Sequence, residues 1–302
     1  MKCLETFCYK NFPCKYHKYD IHGWVLGPLI YKKNDTVVIL YAKRDDFKLY
    51  DCVIKCRELG KINESALIPI LTHNKISHVV EFPTDVPYYG VIHNISWYVM
   101  RYYPRICSSV LDHKDFRLLL RTCLEFAKDL HLKMGYLYMD WRIDNILKKQ
   151  EEGFVISDYE FLKKPSKANN TFIIDYIQDK DFSHYFLQRG ANLDKPLFRY
   201  RTDLEIIGFL CIQFLQTEEP YWSIQCNKIR NDTLIPSFID SISEQRDIYK
   251  YEFLKSYPYI QLYFEKIRDC SWDSLECMSA EWYDELISIF HEPLEFDTEF
   301  LF

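Results

Sequence analysis

The chain has 302 residues, of which 48% are hydrophobic and 17% aromatic, and its formal net charge is −6. This composition provides for a sizeable core and excludes a largely disordered chain. The acidic balance gives no reason to expect direct contact with nucleic acid. The longest apolar run, 206–215, is too short to span a bilayer, so no membrane association is expected.

Residues 1–21 are predicted to form an N-terminal arm that lacks the apolar core of a signal peptide. Eleven cysteines, an odd number scattered along the chain, indicate a reducing compartment, so we expect an intracellular protein of the cytosol or nucleus. One cluster in this arm has the composition of a zinc site. The spacing between its last two members, Cys14 and His17, is short for a common zinc finger, so we favour free thiols on a loose arm. The cluster comprises Cys3, Cys8, Cys14 and His17.

The folded part of the chain is predicted to begin with two strands, at the apolar runs 24–30 and 37–41. We interpret the polar segment between them as a solvated hairpin tip, although Lys32 and Lys33 could instead present charge to a ligand. The chain has only eight glycines, and none lies in this segment. Side chains there would hinder a close approach of the backbone to phosphates.

Residues 52–55 form the next predicted strand, which ends at Lys55. A carboxylate on the following helix is the expected partner of this lysine, and we prefer Glu64 to Glu58. We expect Pro69 to cut that helix short, because proline is unfavourable in a helix interior.

A further strand ends at Met100 and runs into a connection that contains Tyr102. We predict that this connection separates a small β-rich lobe, residues 22–103, from a larger helical lobe, residues 104–302.

An amphipathic helix precedes the most informative stretch of the chain. Its apolar residues recur at the spacing of one helical face, and Gly135 is expected to break the helix. The face comprises Phe116, Leu119, Leu120, Cys123, Ala127 and Leu130.

Four residues separate Asp140 from Asn145, and Asp158 ends the next apolar run after a predicted hairpin turn. This arrangement is typical of phosphoryl transfer, in which one carboxylate accepts the proton of the attacking hydroxyl. Asp140 is the candidate for that role, and Asn145 and Asp158 would bind Mg²⁺ on the nucleotide phosphates.

The same template predicts roles for other residues of the chain. Lys55, paired with Glu64, would hold the α- and β-phosphates of ATP. Adenine would lie against the connection between the lobes, in a pocket lined by Met100, Tyr102 and Leu147.

The later part of the chain contains two further predicted features. Residues 163–170 are polar and are interpreted as an activation segment. Residues 203–215 predict an apolar helix buried on most sides. Asp203 would either cap this helix or bind the backbone of the loop around Asp140.

These residues together resemble the protein kinase superfamily and, more narrowly, the vaccinia-related kinases of the casein-kinase-like group. The resemblance covers roughly residues 22–290, and its most specific block is 199–222, which begins Arg-Tyr-Arg-Thr-Asp-Leu-Glu. Residues 24–30 and the tyrosine after Asp158 are also similar to that family.

The resemblance implies a bilobal α+β fold that binds ATP and Mg²⁺ and transfers phosphate to serine or threonine. It also implies a protein substrate such as a chromatin-bridging DNA-binding factor or a histone. We expect a monomer.

Four departures from the kinase pattern leave the activity open. The glycine loop is absent, Glu160 replaces glycine, Tyr138 and Met139 replace the usual pair before the catalytic acid, and Arg142 replaces the lysine that neutralises the γ-phosphate. Glu160 also gives an Asp-aromatic-Glu sequence similar to that of small-molecule kinases, which is a less favoured alternative.

Two hypotheses therefore compete: a divergent serine/threonine kinase and a pseudokinase that acts as a binding or scaffold module. We favour the enzyme because Lys55, Asp140, Asn145 and Asp158 are all present.

Overall fold

The computed structural model describes residues 21, 23–33, 37–44, 51–59, 64–83, 85–106, 113–149, 153–162, 164, 200–215, 254–255, 257–268 and 278–291. The candidate zinc cluster, the hairpin tip 34–36 and the segment 220–222 of the kinase resemblance lie outside these residues, as does most of the predicted activation segment. The chain divides into two compact units, one of Met1–Lys75 and Val79–Pro104 and the other of Ile76–His78 and Arg105–Phe302.

The described part of the first unit contains a five-stranded antiparallel sheet, in the order β1-β2-β3-β5-β4. Its strands are β1 (Trp24–Lys33), β2 (Val37–Arg44), β3 (Cys52–Glu58), β4 (Tyr89–Ile92) and β5 (Ile95–Arg101). One face carries a buried core that includes Leu40, Ile54 and Val99. Because side chains alternate along a strand, Lys55 and Tyr98 lie on the opposite face.

The expectation that Lys55 ends its strand is wrong, because β3 continues for three more residues, to Glu58. The helical segment that carries Glu64 is short, as expected, although Pro69 lies beyond its end. A single 3₁₀ turn, Glu64–Ala66, precedes the helix α1 (Ile68–His73), and Pro69 stands in the first turn of α1. A proline is tolerated there because the first turn of a helix does not use its backbone N–H groups in intrahelical hydrogen bonds.

In the second unit the predicted amphipathic helix is present as α2 (His113–Asp129), followed by a π-helical turn over Leu130–Met134. Every residue of its predicted apolar face is at most 4% exposed. Gly135 ends the turn with a φ of 64°, a left-handed conformation in which glycine carries no steric penalty. The predicted helix and its end are therefore confirmed.

The rest of the described second unit contains a 3₁₀ turn, Ile143–Asn145, one hairpin and three α-helices. The strands and helices are β6 (Ile146–Lys148), β7 (Phe154–Ile156), α3 (Tyr200–Leu215), α4 (Pro258–Arg268) and α5 (Ala280–Ser288). The strands β6 and β7 are antiparallel, as the predicted hairpin requires. Helix α3 begins at Tyr200, three residues before the predicted start, so Asp203 lies in its first turn instead of at its cap.

Among the described residues, no helix has the length and apolar character needed to cross a membrane.

Gly208 allows α3 and α4 to pack closely. A Cβ atom at this position would lie 2.4 Å from Cζ of Phe264 and 2.8 Å from its Cε1. We predict that Gly208→Ala lowers the free energy of unfolding by about 1–3 kcal/mol, because the added methyl overpacks this contact. Thermal melting should show the loss, and Phe264→Leu in the same chain should recover part of it. An unchanged melting temperature in Gly208→Ala would contradict this packing.

Candidate functional site

The first unit contains a buried ion pair between the lysine and the glutamate that the sequence singled out. The distance from Lys55 Nζ to Glu64 Oε2 is 2.8 Å, and the two side chains are 6% and 2% exposed. The hydroxyl of Tyr98 donates to the other carboxylate oxygen, Oε1, at 2.8 Å. Lys55 and Tyr98 are direct cross-strand partners on β3 and β5. The expected pairing is present, and its role in nucleotide binding stays a prediction.

The predicted adenine-pocket residues lie in three different settings. Met100 is buried on β5 opposite Val53, on the face of the sheet that carries Lys55. Tyr102 is 40% exposed, and its ring centroid lies 5.3 Å from that of Tyr41. Leu147 is buried in β6 of the second unit, where it pairs with Val155. Their contact with adenine stays a prediction.

Asp140 is fully buried, and its carboxylate is held by two neighbours in the same loop. The distance from Nε of Arg142 to Oδ1 of Asp140 is 3.1 Å, and Nη2 of Arg142 donates to Oδ2 at 3.3 Å. The side-chain amide of Asn145 donates to Oδ2 at 2.6 Å and to the backbone carbonyl of Asp140 at 2.9 Å. The guanidinium compensates the charge of a carboxylate that burial would otherwise penalise. The loop therefore fixes the direction of the candidate catalytic acid.

The two predicted metal ligands lie at the same end of the β6–β7 hairpin. Asn145 directly precedes β6, while Asp158 follows β7 by one intervening residue, Ser157. The backbone N–H and the hydroxyl of Ser157 both donate to the carbonyl oxygen of Asn145, at 2.8 Å and 3.0 Å. Carboxylate and amide oxygens are the ligand types that Mg²⁺ takes, so this donor set fits the ion.

Asp158 has a φ of 61°, a conformation uncommon for residues other than glycine. Such backbone strain is retained only where the surrounding structure imposes it, and it occurs often at active sites. Glu160, which replaces the glycine of the kinase pattern, is half-buried in the turn that follows. This turn is closed by a hydrogen bond from the N–H of Leu162 to the carbonyl of Tyr159 at 3.1 Å.

Asp203 is the residue that holds the loop around Asp140. Its fully buried carboxylate accepts hydrogen bonds from the backbone N–H groups of Tyr138 and Met139, at 2.6 Å and 2.9 Å. The indole N–H of Trp141 donates to it at 3.0 Å, and Nε2 of His131 lies 3.1 Å away. Of the two roles predicted for Asp203, the structure therefore shows the contact with the loop backbone.

Tyr138 links the loop to the segment that carries Asp158. Its hydroxyl donates a short hydrogen bond to the carbonyl oxygen of Ser157. Burial raises the pKa of Tyr138 well above its usual value, and the negative charges of Asp140 and Asp158 add to the effect. The hydroxyl therefore stays protonated and acts as a donor at neutral pH, so a departure from the kinase pattern has a definite structural role here.

Sequence reasoning missed four residues of this arrangement. They are Tyr98, His131, Trp141 and Tyr283. His131 lies in the π-helical turn, where Nδ1 contacts the hydroxyl of Tyr283 on α5. Nε2 of the same ring faces the acceptor-only carboxylate of Asp203, so this nitrogen is the one that donates to Asp203. His131 follows Ala127 by four residues, so it falls on the predicted apolar face of the helix, and a polar residue at such a position is the sequence signal that could have pointed to it.

We predict that Asp203→Asn destabilises the protein by at least about 3 kcal/mol, because an amide donor would replace an oxygen that accepts from buried N–H groups. Thermal melting should show a large fall in the melting temperature. Asp284→Asn is the matched control, since its carboxylate is 65% exposed and pairs with Lys128 on the surface. It should change stability by less than about 1 kcal/mol. Equal effects of the two substitutions would contradict the role of Asp203.

Comparison with known proteins identifies the fold. No protein-family model matches the chain, and no curated protein matches it either. Among solved structures, the chain is similar to the kinase PK-1 of Cydia pomonella granulovirus, with a TM-score of 0.54 and 13% sequence identity. The match covers 89% of this chain and 87% of that chain. The predicted fold class is confirmed: the chain has an α+β protein-kinase-like fold.

Proposed function

We propose that this protein is a divergent, ATP- and Mg²⁺-dependent serine/threonine protein kinase of the vaccinia-related type. The observation that carries the proposal is the Asp140 carboxylate, which is buried, charge-compensated by Arg142 and hydrogen-bonded to Asn145. Two further observations support the proposal. The protein has a fold similar to that of a viral kinase. The buried pair of Lys55 and Glu64 provides an ammonium group suited to binding nucleotide phosphates.

In the proposed reaction, a substrate hydroxyl oxygen attacks the γ-phosphorus of ATP, and the bond from that phosphorus to the β–γ bridging oxygen breaks. The hydroxyl proton passes to Asp140, and ADP is the leaving group. Phosphoryl transfer depends mainly on positioning and on electrostatic stabilisation. The hydrogen bonds from Arg142 and Asn145 supply the positioning of Asp140, and Mg²⁺ held by Asn145 and Asp158 would neutralise phosphate charge.

Arg142 stands where a kinase carries a lysine directed at the γ-phosphate. Its guanidinium is a planar fork with five N–H groups, so one arginine can contact both Asp140 and a phosphate oxygen. We propose this double contact as its role in the reaction.

The substrate that we propose is a protein, with a chromatin-bridging DNA-binding factor or a histone as candidates by family resemblance. We further propose that the enzyme acts as a monomer without direct contact with nucleic acid.

A pseudokinase is the second candidate function. The polar segment between β1 and β2 has no glycine, and Glu160 occupies the turn after Asp158. Both features weaken phosphate binding, the first by steric hindrance and the second by charge. A protein of this kind would bind a kinase substrate or a partner without phosphorylating it.

Nucleotide binding tests the enzyme proposal most directly. We predict that ATP raises the melting temperature only when Mg²⁺ is present, because a ligand that binds only the folded state stabilises it by mass action. The measurement is a thermal melt with ATP, Mg²⁺, both or neither. The absence of any shift at millimolar Mg·ATP would contradict the enzyme proposal and favour the binding module.

Substitution of Asp140 separates the two candidates. We predict that Asp140→Asn abolishes phosphate transfer to serine and threonine in a protein substrate, while the affinity for Mg·ATP persists because Asp140 is not a proposed metal ligand. The matched control is Asp144→Asn in the same loop, whose carboxylate is 62% exposed and lies 3.6 Å from Arg105. The control should retain transfer. No transfer by the wild type, combined with equal substrate binding by the wild type and Asp140→Asn, would support the pseudokinase.

A further inference from the structure

The Glu64 carboxylate is held by two side chains from adjacent strands of one sheet. Lys55 on β3 and Tyr98 on β5 lie directly opposite each other, so their side chains project from the same face. Each contacts a different oxygen of the carboxylate, the ammonium at Oε2 and the hydroxyl at Oε1, both at 2.8 Å. All three residues are buried.

The element that carries Glu64 offers little support of its own. Glu64 begins a single 3₁₀ turn, closed by a hydrogen bond from the N–H of Leu67 to its carbonyl at 3.0 Å. The next helix, α1, has only six residues. Helical segments this short are not stable by themselves, so the direction of the glutamate must come from tertiary contacts. Tyr98 supplies one such contact, and its own ring packs edge-on against Phe82, with centroids 6.4 Å apart.

We propose that Tyr98 is a positioning residue that locks the Lys55–Glu64 ion pair in its assembled form before nucleotide binds. In protein kinases generally, this pair joins a strand lysine to a helix glutamate, and movement of that helix controls its formation. Here one sheet carries both Lys55 and Tyr98, the residue that holds Glu64. The ion pair therefore stays formed within this unit. Any regulation of activity would have to act on another part of the protein.

The lock is a property of the protein without ligand, and only its consequence for ATP rests on the proposed function. Removal of the Tyr98 hydroxyl leaves a buried carboxylate oxygen without that donor, which weakens the orientation of Glu64. The ion pair should then open more often and release the Lys55 amine.

The experiment compares Tyr98→Phe with Tyr89→Phe in the full chain. Tyr89 is the cross-strand partner of Tyr98 on β4, is 39% exposed, and contacts Tyr88 through its ring. The first readout is acetylation of Lys55 by acetic anhydride without nucleotide, followed by peptide mass spectrometry. The second is the Kd for Mg·ATP. We expect Tyr98→Phe to raise Lys55 acetylation about tenfold and to weaken Mg·ATP binding by roughly threefold to tenfold, with no change in Tyr89→Phe.

A double-substitution cycle shows whether Tyr98 acts through Glu64. In a Glu64→Ala background, Tyr98→Phe should leave Lys55 acetylation unchanged, because the acceptor that the hydroxyl orients is gone. Equal Lys55 acetylation in the wild type and Tyr98→Phe would overturn the lock, even if the melting temperature falls. If acetylation rises as expected while the wild type binds no Mg·ATP, the lock is supported and the proposed kinase function fails.

Discussion

The buried carboxylate of Asp203 is the interaction on which the geometry of the second unit depends. A charge removed from water is tolerated only when its hydrogen-bonding capacity is filled, and Asp203 fills it with two backbone amides, an indole and an imidazole. The loop must adopt the one conformation that directs these donors inward, including a φ of 67° at Met139. Asp140 follows immediately, so its position is a consequence of how Asp203 is satisfied.

The first unit meets a similar constraint with an ion pair. Lys55 and Glu64 are both removed from water, and buried pairs of this kind are often no more stabilising than apolar residues of the same volume. The burial of this pair is therefore weak evidence that it contributes to stability. The additional hydrogen bond from Tyr98 fills the second oxygen of the carboxylate, as Trp141 and His131 complete the shell of Asp203.

Two of the residues that depart from the kinase pattern, Tyr138 and Arg142, make polar contacts with neighbouring parts of the second unit. Tyr138 binds the carbonyl of Ser157, directly before Asp158, and Arg142 binds the carboxylate that it flanks. Each side chain thus connects two parts of the candidate site.

The sequence by itself determined the elements with strong local signals. The apolar face of α2, the break at Gly135 and the order of Lys55, Asp140, Asn145 and Asp158 all follow from periodicity, backbone freedom and spacing along the chain. These properties depend on neighbouring residues, so they can be recognised without a fold. Pro69 shows that the position of a proline within a helix matters more than its presence, because it lies in the first turn of α1, where a proline is tolerated.

Only the tertiary structure decided which distant residues complete the site. Tyr98 reaches Glu64 because of the register between β3 and β5, and Tyr283 reaches His131 because α5 packs against the end of α2. Register and helix packing depend on the whole set of buried side chains, and a shift of one residue would turn Tyr98 to the other face of the sheet. No local pattern encodes such a contact, which is why these partners could be found only in the folded chain.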